Sequence, residues 1–180
     1  HATAWIAAHR RRHILTCLKH FPGHGSALAD SHLGFVDISA SWREEELEPF
    51  RTLIAGGMAD LVMVGHLFNS RIDPLLPATL SPATIAGLLR RDLGFDGAVI
   101  TDDLQMRAIT DRYGLAEACV MALTAGADIL IIGNNLQYDP LIVGTLIARI
   151  VEAVRQGRLA EERIHTAWQR VRKLQNFIHR

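Results

Sequence analysis

Cysteine, surplus charge and long apolar runs are all scarce in this sequence, and each shortage removes a class of protein. Of its 180 residues only Cys17 and Cys119 are cysteines. They stand far apart within apolar runs, which argues against a disulfide framework or a cysteine-based zinc site and predicts two buried free thiols. The 19 Lys and Arg residues balance 19 Asp and Glu with no long basic run, so the electrostatic footprint of a nucleic-acid or anionic-membrane binder is missing and neither partner is expected. The apolar stretches, such as Ile129 to Ile132, fall far short of the roughly 20 residues a spanning helix needs, and no membrane segment is predicted. There is also no initial Met and no secretory pattern. His1-Ala2-Thr3-Ala4-Trp5 reads as part of an amphipathic helix, so the expectation is a native N-terminus upstream, together with any compartment signal.

What is present is an alternation. Four short runs, Ile14 to Leu18, Leu61 to Gly65, Gly97 to Thr101 and Asp128 to Ile132, are continuously apolar and separated by helical patterns rather than hairpin turns, as buried parallel strands are. Helices are predicted over Ser41 to Ala55, Ser81 to Leu93 and Gly114 to Ala125, with Ser41 and Ser81 as N-caps and Pro82 in the first turn, where its missing N–H is harmless. Two more follow, Asp139 to Arg155 and Leu159 to about Ile178, the last burying Ile164, Trp168, Val171, Leu174 and Ile178 at helical spacing. The fold class is therefore α/β, with parallel strands alternating with helices. Right-handed crossovers leave two architectures, an open doubly wound sheet or an arc of a (β/α)8 barrel, and periodicity does not choose between them. A complete barrel takes about 250 residues, so four strands would be half of one, with the other half N-terminal. Either architecture places chemistry at strand C-termini, where Lys19 to His24, His66 to Ser70, Asp102 with Asp103, and Gly133 to Asn135 cluster.

The densest segment is Lys19-His20-Phe21-Pro22-Gly23-His24-Gly25, followed after four residues by Asp30-Ser31-His32. Asp30 two residues from His32 can hold the imidazole in one tautomer and support proton transfer; the same spacing also fits an Asx turn beside an unrelated histidine. Asp102 follows the run Gly97 to Thr101, where a barrel strand presents a nucleophile, and Asp103 would cap the next helix; both acids could equally serve as caps. His24 is expected to stabilise the Gly23 to Gly25 turn. His66 either lines the same mouth or anchors a loop. Met106 reads as core, and Asn134 and Asn135 lack the glycine-rich cradle of a phosphate site.

The segment from Lys19 to Gly25 with Asp30-Ser31-His32 resembles the signature of glycoside hydrolase family 3, in its β-N-acetylhexosaminidase branch. Ile100-Thr101-Asp102-Asp103-Leu104-Gln105-Met106 resembles the nucleophile segment of that branch, Asp73-Pro74 through Ser81 its intervening loop, and Arg163-Ile164 with Arg170-Val171 its closing pattern, over residues 12 to 175 or so. The resemblance implies the C-terminal half of a (β/α)8 barrel as one unit over 1–180, with the N-terminal half absent and its open edges covered by that half or by another copy. It implies a retaining exo-β-N-acetylglucosaminidase with Asp102 as nucleophile, His32 as acid and base, Asp30 orienting it, and Lys19 and His20 contacting sugar hydroxyls. Lys19 would also help keep Asp102 ionised. No cofactor and no metal are implied. The substrate would be an N-acetylglucosaminide, including peptidoglycan fragments of a bacterium, in the cytoplasm or periplasm. Three alternatives stand beside this. A phosphorylase of the same family is compatible because a histidine repels phosphate less than a carboxylate does. A zinc hydrolase could draw on His20, His24, Asp30 and His32, although Pro22 and Gly23 break the helical His-x3-His register. An inactive fragment or assembly module is the third.

Overall fold

The computed structural model describes residues 1–27, 34–135 and 138–178. Asp30 and His32 therefore lie outside the described residues. The chain opens with helix α1 (Ala2–Arg10) and strand β1 (Cys17–Phe21), then a short strand β2 (Val36–Asp37) and a 3-10 turn (Glu44–Leu47) that runs into α2 (Glu48–Ala55). Next come β3 (Leu61–Val64), β4 (Leu67–Phe68), a 3-10 turn (Ala78–Leu80) and α3 (Ala83–Asp92), a helix of wide π-type turns. Strand β5 (Ala98–Asp103), the short α4 (Arg107–Thr110), α5 (Leu115–Ala125), β6 (Ile129–Ile131), α6 (Ile142–Arg155) and α7 (Glu161–Ile178) complete the described fold.

The main sheet has the order β1-β3-β5-β6 and is parallel throughout. That order decides the architecture. A doubly wound sheet reverses its strand order at a switch point, whereas barrel strands follow one another in sequence, so these four form an arc of a (β/α)8 barrel. A second parallel ladder, β2 with β4, stands beyond the ends of β1 and β3 and was not legible as strand. Each of its members is two residues long, too short for a hydrophobic period to declare itself.

Strand burial departs from expectation. Val62 and Val64 are fully enclosed while Leu61 and Met63 are half-buried, and all three residues of β6 are half-buried. Successive side chains point to opposite faces, so a sheet covered by packed helices on one face alternates rather than burying every residue. Strand β1 begins three residues later than predicted. Asp60 ties the preceding stretch down, accepting from Arg10 Nη2 at 2.5 Å and from Thr16 N at 2.9 Å. Lys19 and His20 consequently sit within the strand. Cys17 is exposed on β1, contrary to expectation, while Cys119 is buried in α5, where burial pushes its thiol up to about 11.

The caps divide. Ser81 acts as predicted, its Oγ accepting from Thr84 N at 3.0 Å, and it is itself held by Asp73 at 2.6 Å. Burial pushes the Asp73 carboxyl upward, but the Ser81 hydroxyl with the backbone N–H groups of Leu75 and Leu76 outweighs that and holds it below the usual carboxylate range. Ser41 caps nothing, because the helix starts later, through the turn at Glu44, where Glu46 Oε1 accepts from Arg43 N at 3.3 Å. On α7, Trp168 is 56% exposed and lies against His165 and Arg172, whereas Ala167 is the buried residue. Ile164, Val171 and Leu174 are half-buried. Charge docks this helix more than aromatic packing does, as the contacts of Arg163 and Arg170 demonstrate.

Candidate active site

The rim of the arc is shaped first by β1 and the turn after it. The peptide bonds Lys19–His20 and Phe21–Pro22 are cis. Gly23 N donates to His20 O at 2.9 Å, and Trp42 Nε1 donates to Pro22 O at 2.9 Å. Glu46 grips the other side: Gly25 N donates to its Oε2 at 3.1 Å and Ser26 Oγ to its Oε1 at 2.5 Å. Thus Glu46, rather than His24 alone, holds the glycine turn. His24 instead stands edge-on to His20 with ring centroids 5.7 Å apart. At Gly23 the backbone has φ +123°, and an added Cβ would stand 2.6 Å from Glu46 Cβ. Strain and collision add there, so Gly23→Ala is expected to cost about 2 kcal/mol in urea denaturation. A loss below about 0.5 kcal/mol would mean that the turn yields.

Strand β5 supplies the carboxylates. Its pairing with β6 slips between Ile100↔Ile129 and Asp103↔Ile131, three residues on one strand against two on the other. Such a bulge re-aims side chains. Thr101, fully buried, fills it by accepting from Ile131 N at 3.0 Å through Oγ1. Asp102 keeps 20% side-chain exposure and lies 3.8 Å, Oδ2 to Nε2, from His20. Its Oδ1 accepts from Asp103 N at 2.9 Å. The basic side chain beside Asp102 is thus His20, charged only when protonated; among the described residues Lys19 makes no ion pair within 4.0 Å. A hollow of about 580 Å³ beside β1 is lined by Lys19, His20, His24 and Glu46, and Asp102 is not part of its wall.

Asp103 is not a helix cap. Its Oδ1 accepts from Gln105 N at 3.0 Å and from Gly133 N at 3.1 Å, tying the β5 and β6 loops together. At Gly133 an added Cβ would run into the Asp103 carboxylate and displace it. His66 is 1% exposed, with Nδ1 2.8 Å from Thr79 Oγ1 and Nε2 2.8 Å from Asp103 O. Its contacts anchor loops, the alternative that places it under the rim. Met106 is buried, as expected of core.

The structure thus unites His20 with Asp102 and places Lys19 beside them on β1. Glu46, Thr79 and Thr101 were missed by sequence reasoning; only Glu46 carried a signal, an acid in a helix's first turn. Among the described residues no three His, Cys, Asp or Glu side chains converge as a metal site, and no helix is long and apolar enough to cross a membrane.

The model of the glycosyl hydrolase family 3 N-terminal domain matches residues 1–174. A β-hexosaminidase of Tolumonas auensis is 39% identical over 137 residues, 74% of this chain and 41% of that protein. The solved family 3 β-N-acetylglucosaminidase of Paenibacillus sp. str. FPU-7 superposes with a TM-score of 0.88 at 38% identity, covering 98% of this chain and 34% of that one. The β-glucoside phosphorylase BglX, with 2FGlc bound, superposes with a TM-score of 0.83 at 27% identity, covering 98% of this chain and 33% of that one. The chain spans about 41% of the curated relative's length. By its matched length, its parallel barrel arc and its rim residues, this chain belongs to glycosyl hydrolase family 3, within the N-terminal domain.

Proposed function

We propose that this chain carries the catalytic segment of a retaining exo-β-N-acetylglucosaminidase. The observation that carries the reading is the approach of His20, on β1, to Asp102, at the end of β5, at 3.8 Å on the C-terminal rim. Retention requires two displacements at one anomeric carbon. Asp102 attacks that carbon while the glycosidic oxygen departs with a proton from His32. Asp30 holds the imidazolium, which near neutral pH needs far less tuning than a protonated carboxylic acid would. Water then attacks the same carbon, giving its proton to His32 and releasing Asp102. Lys19 and His20 hold sugar hydroxyls.

The test uses the complete reading frame with a fluorinated N-acetylglucosaminyl fluoride, whose glycosyl-enzyme forms faster than it hydrolyses. One sugar mass on the peptide bearing Asp102 is expected, and labelling elsewhere removes the assignment. A phosphorylase is the second reading, favoured by the likeness to BglX. Added phosphate would then convert the product from N-acetylglucosamine to its 1-phosphate. Among the described residues β1 and β6 have no partner on their outer edges, and closing the barrel calls for four further parallel strands, from the rest of a longer chain or from a second copy. The exposed stripe of Val143, Ile147 and Val151 on α6 fits the same requirement. Intact mass against 19.9 kDa distinguishes the two sources.

A further inference from the structure

We infer that His66 is a positioning residue for Asp102, acting through the backbone of Asp103; this rests on the nucleophile reading above. The last pair in the β3–β5 ladder is Val64↔Thr101. Beyond it β3 turns away: Gly65 N donates to Phe21 O at 3.0 Å, and β4 pairs with β2. The stretch of β5 carrying Asp102 and Asp103 therefore loses its strand partner on this side just where the bulge begins on the other.

The His66 side chain replaces the missing strand. Nε2 faces a carbonyl oxygen, Asp103 O, at 2.8 Å, so this nitrogen carries the proton and donates. That oxygen also accepts from Met106 N at 3.0 Å, closing the turn that follows. Both of its lone pairs are thereby used. The far side of the imidazole is fixed by Thr79, whose Oγ1 lies 2.8 Å from Nδ1 and 2.7 Å from Gly65 O, its single hydroxyl proton serving one of the two acceptors. Thr79 belongs to the turn ahead of Ser81, which Asp73 clamps. With Thr101 Oγ1 holding Ile131 N on the opposite side, the bulge is pinned from both flanks. Asp103 N, in the same pinned segment, is the donor to Asp102 Oδ1. A buried imidazole thus sets where the nucleophile's carboxylate stands.

The test compares His66→Gln with His66→Asn in the complete reading frame, beside Asp102→Ala. The amide nitrogen of Gln reaches the Nε2 position and can still donate to Asp103 O; that of Asn reaches only the Nδ1 position. The expected result is a kcat about 30-fold lower for His66→Asn with KM within about twofold, kcat restored to within about fivefold by His66→Gln, and a matching fall in the glycosylation rate with the fluoride probe. A purely structural role predicts that both variants follow their melting temperatures. Equal kcat in the two, whether native-like or falling with stability, overturns the inference. If neither folds, Thr101→Val decides from the other flank: a lower kcat at constant KM supports the pinned bulge, and an unchanged kcat overturns it. Turnover by Asp102→Ala would sink the nucleophile reading itself, whereas an inactive Asp102→Ala beside a native-like His66→Asn sinks only this inference.

Discussion

Asp102→Ala is expected to lower kcat on an aryl N-acetyl-β-glucosaminide by three orders of magnitude or more, on the order of the losses seen when a covalent nucleophile is removed. Fold should survive. The side chain is partly exposed and, among the described residues, accepts one backbone hydrogen bond from its neighbour and approaches one imidazole, so its removal strips no deeply buried group of its partner there. The expected melting temperature is therefore close to that of the native protein. Azide provides the sharper measurement. In the space vacated by the carboxylate it can attack the anomeric carbon from the face opposite the departing group, whose oxygen takes the proton from the proposed acid His32, and the product of this single inversion is an α-glycosyl azide. Recovery of turnover with that product identifies the missing group as a nucleophile. Recovery absent, or a β-configured product, would remove the nucleophile assignment from Asp102. Lys19→Ala and His20→Ala should instead raise KM more than they reduce kcat, because hydroxyl contacts exist in both the bound and the transition state.

How much of this was readable in the sequence depended on the distance over which each signal acts. The strand and helix alternation was legible because period and caps are local properties: Ser81 caps α3 through Thr84 N, and Asp102 ends a strand, as their neighbours in sequence predict. The choice of a barrel arc over a doubly wound sheet needed strand order, which no local pattern encodes. Strand ends were misplaced where distant residues intervened. Asp60 binding Thr16 displaced the start of β1, and Gly133 bonding to Asp103 converted an expected helix cap into a brace between loops. At the candidate site, Lys19, His20 and Asp102 were singled out by their chemical type and motif. Glu46, Thr79 and Thr101 were not, because each acts through a backbone group brought near only by folding. Trp168 shows the converse failure, since helical spacing selected it for burial while the docking of α7 was governed elsewhere.

That docking is governed by Asp128, and Asp128→Ala is expected to destabilise the protein by about 3–5 kcal/mol, the loss typical of stripping the partner from a buried charge. The Asp128 side chain is wholly buried at the start of β6. Its Oδ2 accepts from Val99 N at 2.9 Å and Arg90 Nη2 at 2.7 Å, and its Oδ1 meets Arg163 Nη2 and, at 3.5 Å, Arg170 Nη1. Three guanidiniums thus share one buried carboxylate; the second acid nearby, Asp96, is 78% exposed and reaches Arg170 at 3.3 Å. The strain is visible at Arg90. Burial pushes it down to about 10, with Arg170 and Arg163 pushing the same way, against the pull of Asp128. Arg90 and Arg163 also donate to backbone carbonyls at Gly97, Leu123 and Ala127, so the cluster fastens α3, α5 and α7 to the lower edge of the sheet. Without the carboxylate, three like charges converge with no counterion inside. Against the usual total of about 5–15 kcal/mol, that loss removes a large share of the stability. Urea denaturation of Asp128→Ala, Arg163→Leu and the double variant measures it. The double variant should recover about 1–3 kcal/mol relative to the sum of the singles, because removing one cation relieves the repulsion exposed by removing the anion. Strict additivity, or a loss under about 1 kcal/mol for Asp128→Ala, would show that the arginines are held by their carbonyl contacts alone.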